Sequence, residues 1–201
     1  MSNRRISLKE SAGCLLWIDG GGCWLLWFRD QLVWGGGSTR PGSGYQLRWP
    51  AALRTEHAIW SRSEGCHWLH PAGACELNGQ EISTPTRLFD QDEISLNGIV
   101  RTQWRLPSPL CESAGFSLGE HRTVDHLDGV VLFQGACLIG PGKQTHVPCP
   151  HWENRWVIYE YDGDLWGRIE EDETTSSSVP FASLQDYQQD GWRFRFEPLT
   201  S

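Results

Sequence analysis

The chain has 201 residues, 39% of them hydrophobic and 11% aromatic, enough apolar material for one or two packed cores and too much for global disorder. Its net charge of −8 is uneven: residues 1–107 carry 11 Lys/Arg against 10 Asp/Glu, and residues 108–201 carry 6 against 15. An acidic half of that kind repels phosphate backbones and anionic bilayers, which argues against nucleic acid and membrane as partners.

Near the N-terminus, Asp19 and Gly20–Gly22 break the apolar stretch from Leu15 to Leu26, which is too short and too polar for a membrane helix. No small-residue cleavage site follows it, so it does not read as a signal peptide, and a cytoplasmic protein is expected. Seven cysteines, an odd count, then read as reduced and mostly buried thiols. Cys66, His67, His70 and Cys75 crowd together, as do His146, Cys149 and His151, but neither group has structural-zinc spacing. No metal and no cofactor are expected. Twelve Trp are expected mainly to fill β-sandwich interiors.

Helix periodicity is scarce and strand signals are frequent. Leu15–Ile18, Trp24–Phe28 and Gln31–Trp34 are short apolar runs, with hairpin turns expected at Gly20–Gly22 and at Arg29-Asp30. Gln46–Trp49 ends at Pro50. His57–Ser61 is expected to pair with His67–His70 across Ser63-Glu64-Gly65. Glu76–Gln80, Glu93–Leu96 and Arg101–Leu106 follow, the last two joined by Asn97-Gly98, whose residues both accept positive φ. Two prolines in 107–111 mark a junction. Beyond it come Gly129–Gln134, Ala136–Ile139, Arg155–Tyr161, Leu165–Ile169 and Arg193–Phe196.

The two halves read as copies. His57-Ala58-Ile59-Trp60 leads to Trp68, and Arg155-Trp156-Val157-Ile158 leads at the same spacing to Trp166. Gly35–Gly37 answers to Gly140–Gly142. The expected fold is all-β: two antiparallel β-sandwich units in tandem, at 12–107 and 112–201, the second shorter and degenerate.

Leu53-Arg54-Thr55-Glu56-His57-Ala58-Ile59 resembles the Ser-Arg-x-His-Ala-x-Ile stretch of forkhead-associated (FHA) domains. Glu76-Leu77-Asn78-Gly79-Gln80 is similar to their strand ending in Asn-Gly, and Leu88–Leu96 to their Leu-x-x-Gly-Asp-x-Ile-x-Leu segment. Leu32-Val33-Trp34-Gly35 sits where the family has an apolar strand ending in Gly-Arg. The likeness covers about residues 30–106, and a looser one to bacterial, planctomycete-type proteins with two FHA-like units covers most of the chain. The resemblance implies SMAD/FHA-like sandwiches and a protein or phosphothreonine-peptide partner held by loops at one end. It also implies loop-supporting roles for Gly35, His57, Asn78 and Gly79.

Two family positions depart from the pattern. Gly36 stands where the phosphate-binding Arg is expected, and Arg54 and Thr55 stand at the Ser and Arg positions. The Asn that contacts the peptide backbone has no counterpart before Cys75. Three readings stay open: Arg54, with Arg40 or Thr55, rebuilds a phosphate site; the site is lost and the domain is a phosphorylation-independent scaffold; or Arg54 is a solvated loop residue. In the second copy Arg155 replaces the His, and no phosphopeptide site is expected. No nucleophile elbow, phosphate loop or HExxH motif is present, and Cys66 and His67, adjacent on a strand, point to opposite faces. A non-catalytic interaction module is therefore expected rather than an enzyme.

Overall fold

The computed structural model describes residues 5–37, 46–108, 111–119, 123, 125–170, 177–189 and 192–199. Every regular element among them is a β-strand. In chain order the first eleven are β1 (Gly13–Ile18), β2 (Gly22–Trp27), β3 (Gln31–Gly36), β4 (Gln46–Trp49), β5 (Ala58–Ser63), β6 (Cys66–Pro71), β7 (Cys75–Leu77), β8 (Gln80–Ile82), β9 (Thr86–Leu88), β10 (Glu93–Leu96) and β11 (Val100–Arg105). The others are β12 (Ala114–Ser117), β13 (Gly129–Leu132), β14 (Ala136–Gly140), β15 (Val147–Pro148), β16 (Arg155–Tyr161), β17 (Asp164–Glu170), β18 (Val179–Pro180), β19 (Asp186–Gln189) and β20 (Trp192–Pro198).

The chain divides into two compact units. The central unit comprises Arg29–Leu106 and Phe116–Gly129; the flanking unit comprises Met1–Phe28, Pro107–Gly115 and Val130–Ser201. This differs from a division at 107–112. Met1–Phe28 belongs with the C-terminal segment because β1 pairs along its length with β20, Cys14 opposite Pro198 through Ile18 opposite Phe194. The Arg29-Asp30 turn is accordingly no hairpin: β2 pairs with β1, whereas β3 pairs with β4 and β5. Asp30 is instead tied to β5, where its carboxylate accepts from Arg62 at 2.7 Å.

In the central unit one sheet has the order β4-β3-β5-β6-β9, and the other runs β11-β10-β7-β8 with β12 beside β11. Rings seal the space between the sheets. Trp60 of the first lies 6.4 Å from Trp104 of the second, and Phe116 on β12 lies 4.9 Å from Trp34 and 6.0 Å from Trp104. All four are buried. The Nε1–H groups of Trp34, Trp60 and Trp104 have no acceptor, so these indoles stabilise through apolar area and ring contacts.

The flanking unit repeats the plan. Its first sheet, β15-β14-β16-β17-β18, has the order of β4-β3-β5-β6-β9, and its second contains β19-β20-β1-β2. The registers coincide as well: Trp34 faces Ala58 and Leu47 in one unit, and Ile139 faces Trp156 and Val147 in the other. Trp156 and Phe194 meet across this core at 5.1 Å. The sandwiches are not wholly antiparallel, because β3–β4 and β14–β15 are parallel ladders.

Four X-Gly turns close hairpins with both residues at positive φ: Glu64-Gly65, Asn78-Gly79, Asn97-Gly98 and Asp162-Gly163. That geometry matches the right-handed twist of the strands it joins. At Asn78-Gly79 it divides the expected strand 76–80 into β7 and β8.

Candidate functional site

The end of β3 is built from glycine because the next loop lies against it. A Cβ on Gly35 would stand 1.8 Å from the Thr55 carbonyl oxygen. One on Gly36 would meet the carbonyl oxygens of Leu53 at 2.6 Å and Ala51 at 2.9 Å. With no side chain there, the Gly36 N–H reaches the Arg54 carbonyl at 2.8 Å, fastening the end of β3 to loop 51–57.

His57 fastens the same loop from below. Its ring is buried, Nδ1 accepts the Arg54 backbone N–H at 3.2 Å, and Nε2 donates to the Ala74 carbonyl at 2.9 Å. The bond at Nδ1 assigns the Nε2–H tautomer. The His57 carbonyl accepts from Ala72 and Gly73, so loop 71–74 is tied to the same residue. Gly73 packs flat on the imidazole.

On this frame Arg54 and Thr55 are exposed. The Arg54 Nη1 donates to the Ala72 carbonyl at 2.6 Å, so the guanidinium spans loops 51–57 and 71–74. Gly35, Arg54, Thr55 and His57 are thus brought together at one loop end. Arg40 lies outside the described residues. Asn78 and Gly79 are not part of the cluster. They sit at the far end of β7 from Ala74, about 13 Å away at the usual strand rise. There Asn78 Nδ2 donates to Asp92 at 2.8 Å and Asn78 Oδ1 accepts the Glu93 N–H at 2.9 Å, tying the β7–β8 turn to β10.

Sequence reasoning missed Arg48 on β4. It is buried, with Nη1 donating to the Gly36 carbonyl at 3.0 Å and Nη2 to Gln46 Oε1 at 2.5 Å. Among the described residues no carboxylate pairs with it, and its Nε has no partner. The signal available was an Arg inside the otherwise apolar Leu47–Trp49 run.

Two thiol–imidazole pairs invite a catalytic reading, and neither fits one. Cys66 is half-buried on one face of β6 while His67 is buried on the other, stacked on Trp60. Cys111 Sγ lies 3.7 Å from His146 Nε2, but Nδ1 of His146 accepts the Leu138 N–H and Nε2 donates to the Ser113 carbonyl. Neither nitrogen is left to serve as a base. In the flanking unit Arg155, in the position of His57, pairs with Glu170 at 2.6 Å. Among the described residues no helix is long and apolar enough to cross a membrane.

No family model and no curated protein matches the chain. A solved structure described as "Rv0020c_FHA Structure" is similar over 42% of this chain and 83% of that chain, at 19% identity and a TM-score of 0.29.

Proposed function

We propose that the central unit is a non-catalytic interaction module of the FHA type that engages its partner through the loop end carrying Arg54 and Thr55. The observation that carries this reading is an exposed guanidinium held on a rigid frame: Arg54 is bonded to Ala72, and its own backbone is bonded to Gly36 and His57. A planar fork immobilised in this way loses little entropy on meeting a phosphate, and Arg54 is exposed. A phosphothreonine peptide is the partner chemistry that fits, and the role is in phosphorylation-dependent signalling. No cofactor, nucleic acid or membrane enters this reading. Seven free thiols fit a reducing compartment such as the cytoplasm.

A second reading rests on Gly36. The position where the family resemblance expects the phosphate-binding Arg is closed by two carbonyl oxygens, which leaves Arg54 as the exposed cation of the described loop end. On that reading the module binds protein partners independently of phosphorylation.

Titration of the whole chain with phosphothreonine and unphosphorylated peptide libraries, alongside Arg54→Ala, separates the two. Phospho-selective binding that disappears in Arg54→Ala supports the first reading. Equal binding of both libraries, unchanged in the variant, supports the second. Turnover of a small substrate would overturn both.

A further inference from the structure

A cavity of about 410 Å³ opens on the outward side of the β7–β10–β11 sheet of the central unit, away from the Arg54 loop network. Ile94 and Leu96 of β10 are buried in the core, so by the two-residue period of a strand Ser95 between them faces outward, into this cavity. The register sets Glu76 on one side of Ser95 and Arg101 on the other, and places Glu93 opposite Gln103. All five line the cavity.

Two features distinguish this surface from an ordinary solvated sheet face. Ser95 is only 9% exposed, and its Oγ has no hydrogen-bond partner. A buried hydroxyl that no protein group satisfies is a group left for a ligand. In addition, none of Glu76, Glu93 and Arg101 is engaged in a side-chain hydrogen bond or ion pair among the described residues. Glu76 and Arg101 are two strands apart, about 10 Å between their Cα atoms at the usual strand spacing, with Ser95 between them. The cavity therefore offers the Glu76 carboxylate on one flanking strand, the Arg101 guanidinium on the other and an unsatisfied hydroxyl midway, with Glu93 two residues along the central strand from Ser95.

We propose that this cavity binds a short zwitterion, an amino acid or dipeptide, with its carboxylate on Arg101, its ammonium on Glu76, and a central polar group on the Ser95 hydroxyl. Opposite charges set a few bonds apart match this separation, whereas a simple anion or cation would leave one side of the site unpaired. The volume is within the range of small-molecule sites. The proposal is independent of the reading of the Arg54 loops.

An amide-resolved NMR titration of the full chain with free amino acids and glycyl dipeptides tests it, the lead probes being glycylglycine, N-acetylglycylglycine and glycylglycinamide. Glycylglycine shifts the resonances of Ser95 and Arg101, and capping either end weakens binding by about tenfold, the loss expected of one charge-assisted contact. Arg101→Ala and Glu76→Gln each weaken it similarly, Ser95→Ala weakens it severalfold, and Arg54→Ala leaves it unchanged; the unliganded spectra verify that each variant is folded. Three results overturn the proposal: no shift at these residues with any amino acid or dipeptide at millimolar concentration, equal binding of capped and uncapped probes, or binding that survives Arg101→Ala and Glu76→Gln.

Discussion

A Cβ atom on Gly73 would stand 2.3 Å from Cε1 of His57 and 2.4 Å from its Nδ1, so the imidazole of one loop rests directly on the backbone of the other. Gly73→Ala must push the ring aside. The ring is held at both nitrogens, by the Arg54 N–H and the Ala74 carbonyl, and displacing it breaks both bonds. At roughly 0.5–1.5 kcal/mol for each bond, the variant loses about 1–3 kcal/mol of stability in denaturant titration. Its amide spectrum changes at 54–57 and 72–74 and stays fixed on β10 and β11. A spectrum altered throughout, or not at all, would show that His57 does not fasten these loops.

Gly36→Arg restores the residue that the FHA resemblance expects, and restores nothing else. Its Cβ would press on the Leu53 and Ala51 carbonyl oxygens, and the Gly36 carbonyl that Arg48 binds would have to move. Overpacking against fixed backbone costs about 1–3 kcal/mol, so the variant melts several degrees lower and gains no affinity for phosphothreonine peptides. Calorimetric melting with a parallel peptide titration checks both outcomes; a stable variant with new phospho-selective binding would show that the loop accommodates the family Arg.

Much of this arrangement was legible in the sequence. The hairpin turns could be read because Asn-Gly and Asp-Gly are among the few pairs that tolerate positive φ in succession, and Asn97-Gly98 and Asp162-Gly163 have it. The repeat could be read because His57 leads to Trp68 at the same spacing as Arg155 to Trp166, and the strands that carry them pair alike, Trp34 with Ala58 and Ile139 with Trp156. A loop-supporting role for His57 was implied by the FHA resemblance and not by its spacing from Arg54; its ring bonds to Arg54 and Ala74. Two things could not be read. Which hairpin completes which sandwich is a long-range pairing, and nothing local to Gly13–Trp27 states that its partner is Trp192–Pro198. Nor could the distance of Asn78-Gly79 from the Arg54 loop, since a turn signal fixes local geometry and not which end of a strand the turn occupies.

The pairing of β1 with β20 has a consequence for dissection. Residues 12–107 include the β1–β2 hairpin, whose β1 pairs with β20, and lack Phe116, which packs between Trp34 and Trp104. A fragment with those boundaries exposes the apolar face of β1–β2 and leaves a void beside two tryptophans. A fragment of residues 29–132 retains both sheets of the central unit. Expressed side by side, the 29–132 fragment gives dispersed amide resonances and a cooperative melt, and the 12–107 fragment aggregates or melts without cooperativity. The opposite pattern would place the hairpin of residues 13–27 with the central sandwich.

The thiols report on the cores directly. All seven cysteines are free, and only Cys66 and Cys111 are partly exposed. A thiol-specific reagent therefore modifies two cysteines quickly in the native protein and all seven in denaturant. Burial pushes the Cys75 thiol up to about 11, with a backbone hydrogen bond from Gly73 partly opposing the shift, and it pushes Cys149 up to about 12. Cys14 and Cys137 are raised in the same direction by burial. A raised native value means that the unfolded chain ionises first. The associated stability is complete below the ordinary thiol value of 9.0 and is lost as pH rises towards the native values. The denaturant midpoint should thus be insensitive to these thiols up to about pH 9 and fall above it. Cys75→Ala should flatten the part of that decline between about 9 and 11, the interval set by the shift of this one thiol. A decline of unchanged slope in Cys75→Ala would mean that Cys75 ionises as readily in the native sandwich as in the unfolded chain.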